Sequence, residues 1–156
     1  MNGFRCLLAT VLMYLASGAN AADPGTHKLV GVWYGTHLES SVASTPLHWK
    51  LWRQTGGRFV IDYYVQAGCY LSYSHRELGR WDLRRGVYRV ITEQVGERKL
   101  DAQSKDFVQR YRIAQVSSER MRLSQQDVGV DLLLTRIPAD FRMDTMNLCP
   151  ADAADS

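Results

Sequence analysis

Gly31-Val32-Trp33-Tyr34-Gly35 opens the first strand-like run of the chain, and its reading decides the fold. Side chains alternate from Leu29 to Leu38, with Val30, Val32 and Tyr34 on one face and Gly31, Trp33 and Gly35 on the other. Small residues on either side of Trp33 leave room for a large indole. A tryptophan so placed belongs in a core, and the rest of the chain must supply the walls around it.

Downstream, short alternating runs recur with turns between them. After a Ser-rich loop at Glu39–Thr45, Leu47–Arg53 sets Leu47, Trp49 and Leu51 on one face and His48, Lys50 and Trp52 on the other. Thr55-Gly56-Gly57-Arg58 is a hairpin turn leading into Phe59–Val65. Gly68–Ser74, Leu78–Leu83 and Val87–Val95 continue the rhythm, with a turn at Arg84-Arg85-Gly86. Gly96–Lys105 is polar and reads as a long loop. Asp106–Val116 alternates Phe107, Gln109, Tyr111 and Ile113 against Val108, Arg110, Arg112 and Ala114. Arg120–Gln125 and Val130–Ile137 follow, and Pro138 ends the last run. No long helical period occurs, so any helix is expected in the tail or within Gly96–Lys105. The expectation is an all-β protein, a single antiparallel barrel or sandwich.

The bulk properties agree. The chain's 156 residues suffice for one domain with a real core. Four Trp, eight Tyr and four Phe favour half-buried pleated surfaces. Residues 1–21 read as a signal peptide: Arg5 in the n-region, an uncharged Leu7–Leu15, and Ala19-Asn20-Ala21 as the cleavage site. That apolar run is shorter than the roughly 20 residues of a membrane span. Cys6 precedes it, where a lipid-attachment cysteine would not sit. The mature protein is therefore expected to be periplasmic or secreted, with no integral membrane anchor. Cleavage would remove one arginine from a chain of net charge +3, a mild balance that argues against nucleic acid as a partner. Two cysteines remain, Cys69 and Cys149. In an oxidising compartment an even pair reads as a disulfide rather than a soft-metal pair, which would need more ligands nearby.

With Gly31-Val32-Trp33-Tyr34 on the first strand and Arg136, within Leu134-Thr135-Arg136-Ile137, on the last, the chain resembles the lipocalin-like (calycin) barrels. The resemblance implies that Trp33 plugs the closed end and that Arg136 lies across its indole. A guanidinium over an indole face is favourable by roughly 0.5–2 kcal/mol. It also implies one disulfide tying the tail to a barrel strand, which suits Cys69 and Cys149. The expected layout is a signal peptide at 1–21, a barrel of eight or nine strands at 22–138, and a disulfide-tethered tail at 139–156.

His27, His37, His48 and His75 show no metal-ligand spacing, although His37 and His48 could face each other across adjacent strands with His75 near. No nucleophile elbow or phosphate loop is present, so no catalytic residue, metal or cofactor is expected. The leading expectation is non-enzymatic binding of a small apolar or amphipathic, lipid-like molecule in the barrel lumen. Trp49 and Tyr63 would line the site, with Tyr63, Arg110 or Arg112 orienting a head group. An alternative is a protein-binding module, an inhibitor or immunity-type partner of a secreted hydrolase in the envelope, using the loops Glu39–Thr45 and Gly96–Lys105. A third is a lumen-based enzyme. Alternation cannot distinguish a filled barrel from a hollow one.

Overall fold

The computed structural model describes residues 25–37, 46–101, 104–127 and 129–149. Residues 1–21, expected to be a signal peptide, and the Glu39–Thr45 loop lie outside them.

Strands β1 (Gly31–His37), β2 (Leu47–Arg53), β3 (Arg58–Ala67), β4 (Tyr70–Arg84), β5 (Val87–Val95), β6 (Arg98–Lys99), β7 (Val108–Val116), β8 (Arg120–Gln125) and β9 (Asp131–Arg136) form one antiparallel sheet. Its order is β4-β3-β2-β1-β9-β8-β7-β5-β6, and β4 also pairs with β5, so eight strands close on themselves while β6 hangs beside β5. This is the expected all-β, lipocalin-like barrel. Closure pairs backbone groups that an open sheet would leave as edges.

Strand direction separates two ends. The turns after β2, β4 and β7, with the start of β1 and the end of β9, gather at a closed end. The His37, Leu47, Ala67–Tyr70 and Gln125–Asp131 termini gather at the other, which forms the mouth.

The closed end is built around Trp33, which is 0% exposed. Its Nε1–H donates to Leu29 O at 3.0 Å, and the Arg136 guanidinium sits 4.2 Å from its ring centroid. Arg136 also donates from Nη1 to Val30 O and from Nη2 to Lys28 O, each at 2.9 Å. One side chain on β9 thus fastens the N-terminal lead-in beneath the barrel. The glycines make room for neighbours of Trp33 rather than for its own ring. Gly31 has φ +129°, and a Cβ there would lie 2.1 Å from Arg136 Nη1. A Cβ on Gly35 would lie 2.4 Å from the Trp49 ring.

Several boundaries differ from expectation. The lead-in carries one turn of helix, α1 (Thr26–Leu29), which delivers buried Leu29 to the core. Gly68–Ser74 and Leu78–Leu83 are parts of one 15-residue strand, β4. It pairs with β3 along its first half and with β5 along its second, with register shifts at Tyr63/Tyr64 and Leu78/Gly79. The Gly96–Lys105 loop includes β6, and the start of the Asp106–Val116 run is a 3₁₀ turn, Lys105–Phe107.

The tail beyond Pro138 crosses the outside of the barrel. Lys50 Nζ donates to Ala139 O at 3.0 Å and to Phe141 O at 2.7 Å. Met143 is buried, and Leu148 N–H donates to Cys69 O at 2.8 Å. The Cys69–Cys149 disulfide is formed. Among the described residues no helix is long and apolar enough to cross a membrane.

Candidate functional site

The inward-facing positions of these strands do not fill the barrel. They leave a cavity of about 260 Å³ bordered by Leu47, Trp49, Leu51 and Arg53 from β2, Ile61 and Tyr63 from β3, and Tyr88 and Val90 from β5. Gln109 and Tyr111 from β7, Leu123 and Gln125 from β8, and Val130, Leu132 and Leu134 at β9 complete its wall. From Arg53 to Leu47 is six residues of β2, roughly 20 Å at the rise of an antiparallel strand. The wall is aliphatic and aromatic along most of that length. Its mouth carries two amides, Gln109 and Gln125.

Arg53 is the exception at the closed end. It continues the Leu47, Trp49, Leu51 face by one more step, so the pleat turns it inward, and it is 0% exposed. Its Nε–H donates to the Tyr88 hydroxyl at 2.7 Å. Nη1 reaches Met121 Sδ at 3.5 Å, a weak acceptor. Nη2 is buried with no hydrogen-bond partner. The guanidinium carbon lies 4.4 Å from the Tyr88 ring centroid. Among the described residues no carboxylate pairs with Arg53; each ion pair uses another cation.

The tyrosines nearby do not supply the missing charge. Burial pushes the Tyr88 phenol up, and this outweighs the opposing pull of Arg53. Burial first, then the neighbouring Tyr88, also pushes Tyr111 up. Tyr111 donates its hydroxyl to Gln109 Oε1 at 2.7 Å. Both phenols stay neutral at physiological pH.

A second polar group lies on the β4 side. Glu77 is paired in register with Ile61, and so shares its inward face. Thr92 Oγ1 donates to Glu77 Oε2 at 3.3 Å, and His75 Nε2 stands 3.8 Å from Glu77 Oε1. The Tyr63 ring stacks on His75 at 4.7 Å between centroids. Burial raises the Glu77 carboxyl above its ordinary range, partly offset by His75 and Thr92. Burial, then the Glu77 charge, raises the Tyr63 phenol.

Of the residues singled out from sequence, Trp49 and Tyr63 border the cavity. Arg110 and Arg112 do not: both are exposed, on the face of β7 opposite Gln109 and Tyr111. Their alternation against Tyr111 already implied this. Arg53, the inward arginine, was missed, although the same alternation on β2 points to it. His48 does not face His37: it pairs in register with Thr36, and its Nδ1 lies 2.8 Å from the Tyr34 hydroxyl. His75 is on the lumen side. Among the described residues no cluster of three or more potential metal ligands occurs.

A second cleft, of about 300 Å³, lies on the outer face between Val32, Lys50, Trp52, Val60, Asp62, Arg76 and Ala139. Its cations already have acceptors. Arg76 grips Asp62 through two hydrogen bonds of 2.6 and 2.9 Å, and Lys50 holds the tail. The lumen holds a buried cation with a donor lacking any acceptor, whereas the cations of this cleft rest on acceptors, so the lumen is the candidate site.

No protein-family model matches the sequence, and no curated protein matches it either. Among solved structures the chain is similar to a lipocalin-like protein from Bacteroides uniformis. The two share 13% identity at a TM-score of 0.45, over 70% of this chain and 99% of that one. The lipocalin-like fold is visible independently in the strand order, in the β4–β5 closure and in the Trp33–Arg136 contact at the closed end.

Proposed function

We propose that the protein binds a small, largely apolar molecule in the barrel lumen. The observation that carries this is the cavity of about 260 Å³, walled by Trp49, Leu51, Ile61, Val90, Leu123 and Leu134 and bordered at the mouth by Gln109 and Gln125. A wall of that composition gains nothing from holding water, whereas each methylene transferred into it gains about 0.8 kcal/mol. At about 30 Å³ per water, the space is that of roughly nine waters, which suits a ligand of about ten non-hydrogen atoms. The fold positions the site by plugging one end of the barrel with Trp33, Leu29 and Arg136. Entry is then through the mouth, and export through the signal peptide would place the protein in the periplasm or outside the cell.

Native mass spectrometry of the purified protein tests this. A small molecule should co-purify, or be taken up when an eight-carbon alcohol is supplied. Filling the lumen with Leu132→Trp should abolish uptake while leaving the fold intact by circular dichroism. Uptake that survives Leu132→Trp, or no uptake by the wild-type protein, would refute the proposal.

A further inference from the structure

We infer that the lumen ligand is a monoanion, a small carboxylate with an apolar body, and that its anionic end is held by Arg53. This rests on the lumen being the binding site and names the class of molecule that fits it. The argument starts from an imbalance. A guanidinium presents five N–H donors and cannot shed its charge. At Arg53 one strong acceptor is present, the Tyr88 hydroxyl, and one weak one, Met121 Sδ. Nη2 has none, and the residue is fully buried. A buried charge without a partner is strongly unfavourable, and the rest of the closed end is otherwise well satisfied. Trp33 Nε1 and the Arg136 nitrogens all have acceptors.

The other cations of the barrel show the contrast. Arg58, Arg76, Arg80, Arg89 and Arg122 each hold a carboxylate on the outside, where water would have served. The arginine in the interior is left without one. Its place at the closed end of an apolar cavity orders a ligand along the barrel: anion at Arg53, hydrocarbon against Trp49, Leu51 and Leu123, far end near Gln109 and Gln125. Nε is taken by Tyr88 and Nη1 rests on Met121 Sδ, so Nη2 is the donor left for a small acceptor such as a carboxylate oxygen. Arg53 is the one cation bordering the cavity among the described residues, so a single guanidinium charge matches one anionic group rather than two.

Calorimetric titration with octanoate, 1-octanol and octylamine at constant ionic strength tests the inference on the wild-type protein, without any variant. A charge-assisted hydrogen bond predicts that octanoate binds roughly tenfold to a hundredfold more tightly than the alcohol, with the amine weakest. Equal binding of acid and alcohol, or tightest binding by the amine, overturns the anion anchor while leaving lumen binding in place. Failure of all three to bind overturns both. Arg53→Met should reverse the order, so that the alcohol is preferred, and Arg53→Lys should keep the acid preferred. Carbonyl-labelled octanoate gives a second readout by NMR. Bound to the wild-type protein, its carboxyl should stay ionised well below its free pKa, and a bound carboxyl titrating at or above the free value overturns the assignment.

Discussion

Replacing Gly31 by alanine tests the closed end most directly, because two separable costs meet at one atom. The backbone at Gly31 has φ +129°, a region that L-residues adopt only with strain of roughly 1–3 kcal/mol. The new methyl would also lie 2.1 Å from Arg136 Nη1, so the guanidinium must move. Moving it breaks the 2.9 Å bond to Val30 O and lifts the cation from the Trp33 ring, a further loss of about 2 kcal/mol. Gly31→Ala should therefore cost about 3–5 kcal/mol in all, measured by urea unfolding followed through tryptophan fluorescence. In an Arg136→Ala background the second cost disappears, and the same change should cost only about 1–3 kcal/mol. The coupling between the two substitutions should be near 2 kcal/mol, well outside the few tenths expected of independent sites. Additive costs would show that Arg136 does not occupy the space above Gly31, and the account of the closed end given above would fail.

Two other outcomes are expected. The Cys69–Cys149 bridge closes a loop with a sequence separation of 80, so the Cys69→Ala/Cys149→Ala protein should lose up to about 4 kcal/mol of stability to urea; unchanged stability would show that the bridge constrains only the tail. Glu77 has a carboxyl pKa raised chiefly by burial, so the folded protein favours its neutral form. Its contribution to stability is present below the ordinary carboxyl pKa and is lost as pH rises through the raised one. Glu77→Gln should therefore raise the melting temperature at pH 7 and lose that advantage near pH 4. A variant less stable than wild type at pH 7 would mean that His75 and Thr92 more than offset the burial.

The strand rhythm, the barrel and the disulfide were legible because each rests on a short-range pattern or on residue types that tolerate few environments, whereas the Trp33–Arg136 contact was implied only by the resemblance to lipocalin-like barrels. β4 was read as two pieces for a physical reason. At His75, Arg76 and Glu77 the strand carries polar groups on both faces, His75 and Glu77 towards the lumen and Arg76 in an ion pair outside, so the hydrophobic alternation vanishes while the hydrogen bonding continues. The helical turn before β1 was missed because four residues are too few to show a period. In the site, Trp49 and Tyr63 were found by alternation, whereas Arg110 and Arg112 were chosen for their charge against that same alternation. Arg53 was passed over because an arginine at a strand end next to a turn normally faces water. Its inward orientation was implied by parity, but its lack of a counter-charge emerges only when strands distant in sequence are brought together.

The topology has a consequence for how the chain reaches this state. Each barrel strand pairs with the next one along the chain, β6 aside, except at the β1–β9 seam. That seam joins groups as far apart as Lys28 O and Arg136 Nη2, separated by 108 positions. Hairpins can therefore form early from local encounters, and sealing the ring must wait for the whole chain, with the loop-closure entropy that such a separation imposes. The disulfide would shorten that wait. Linking Cys149 to Cys69 draws the segment just beyond β9 towards the β3–β4 hairpin, within two strands of β1, before the last seam forms. Oxidation would then act as a kinetic aid to closure, visible as slower refolding of the reduced chain at matched stability.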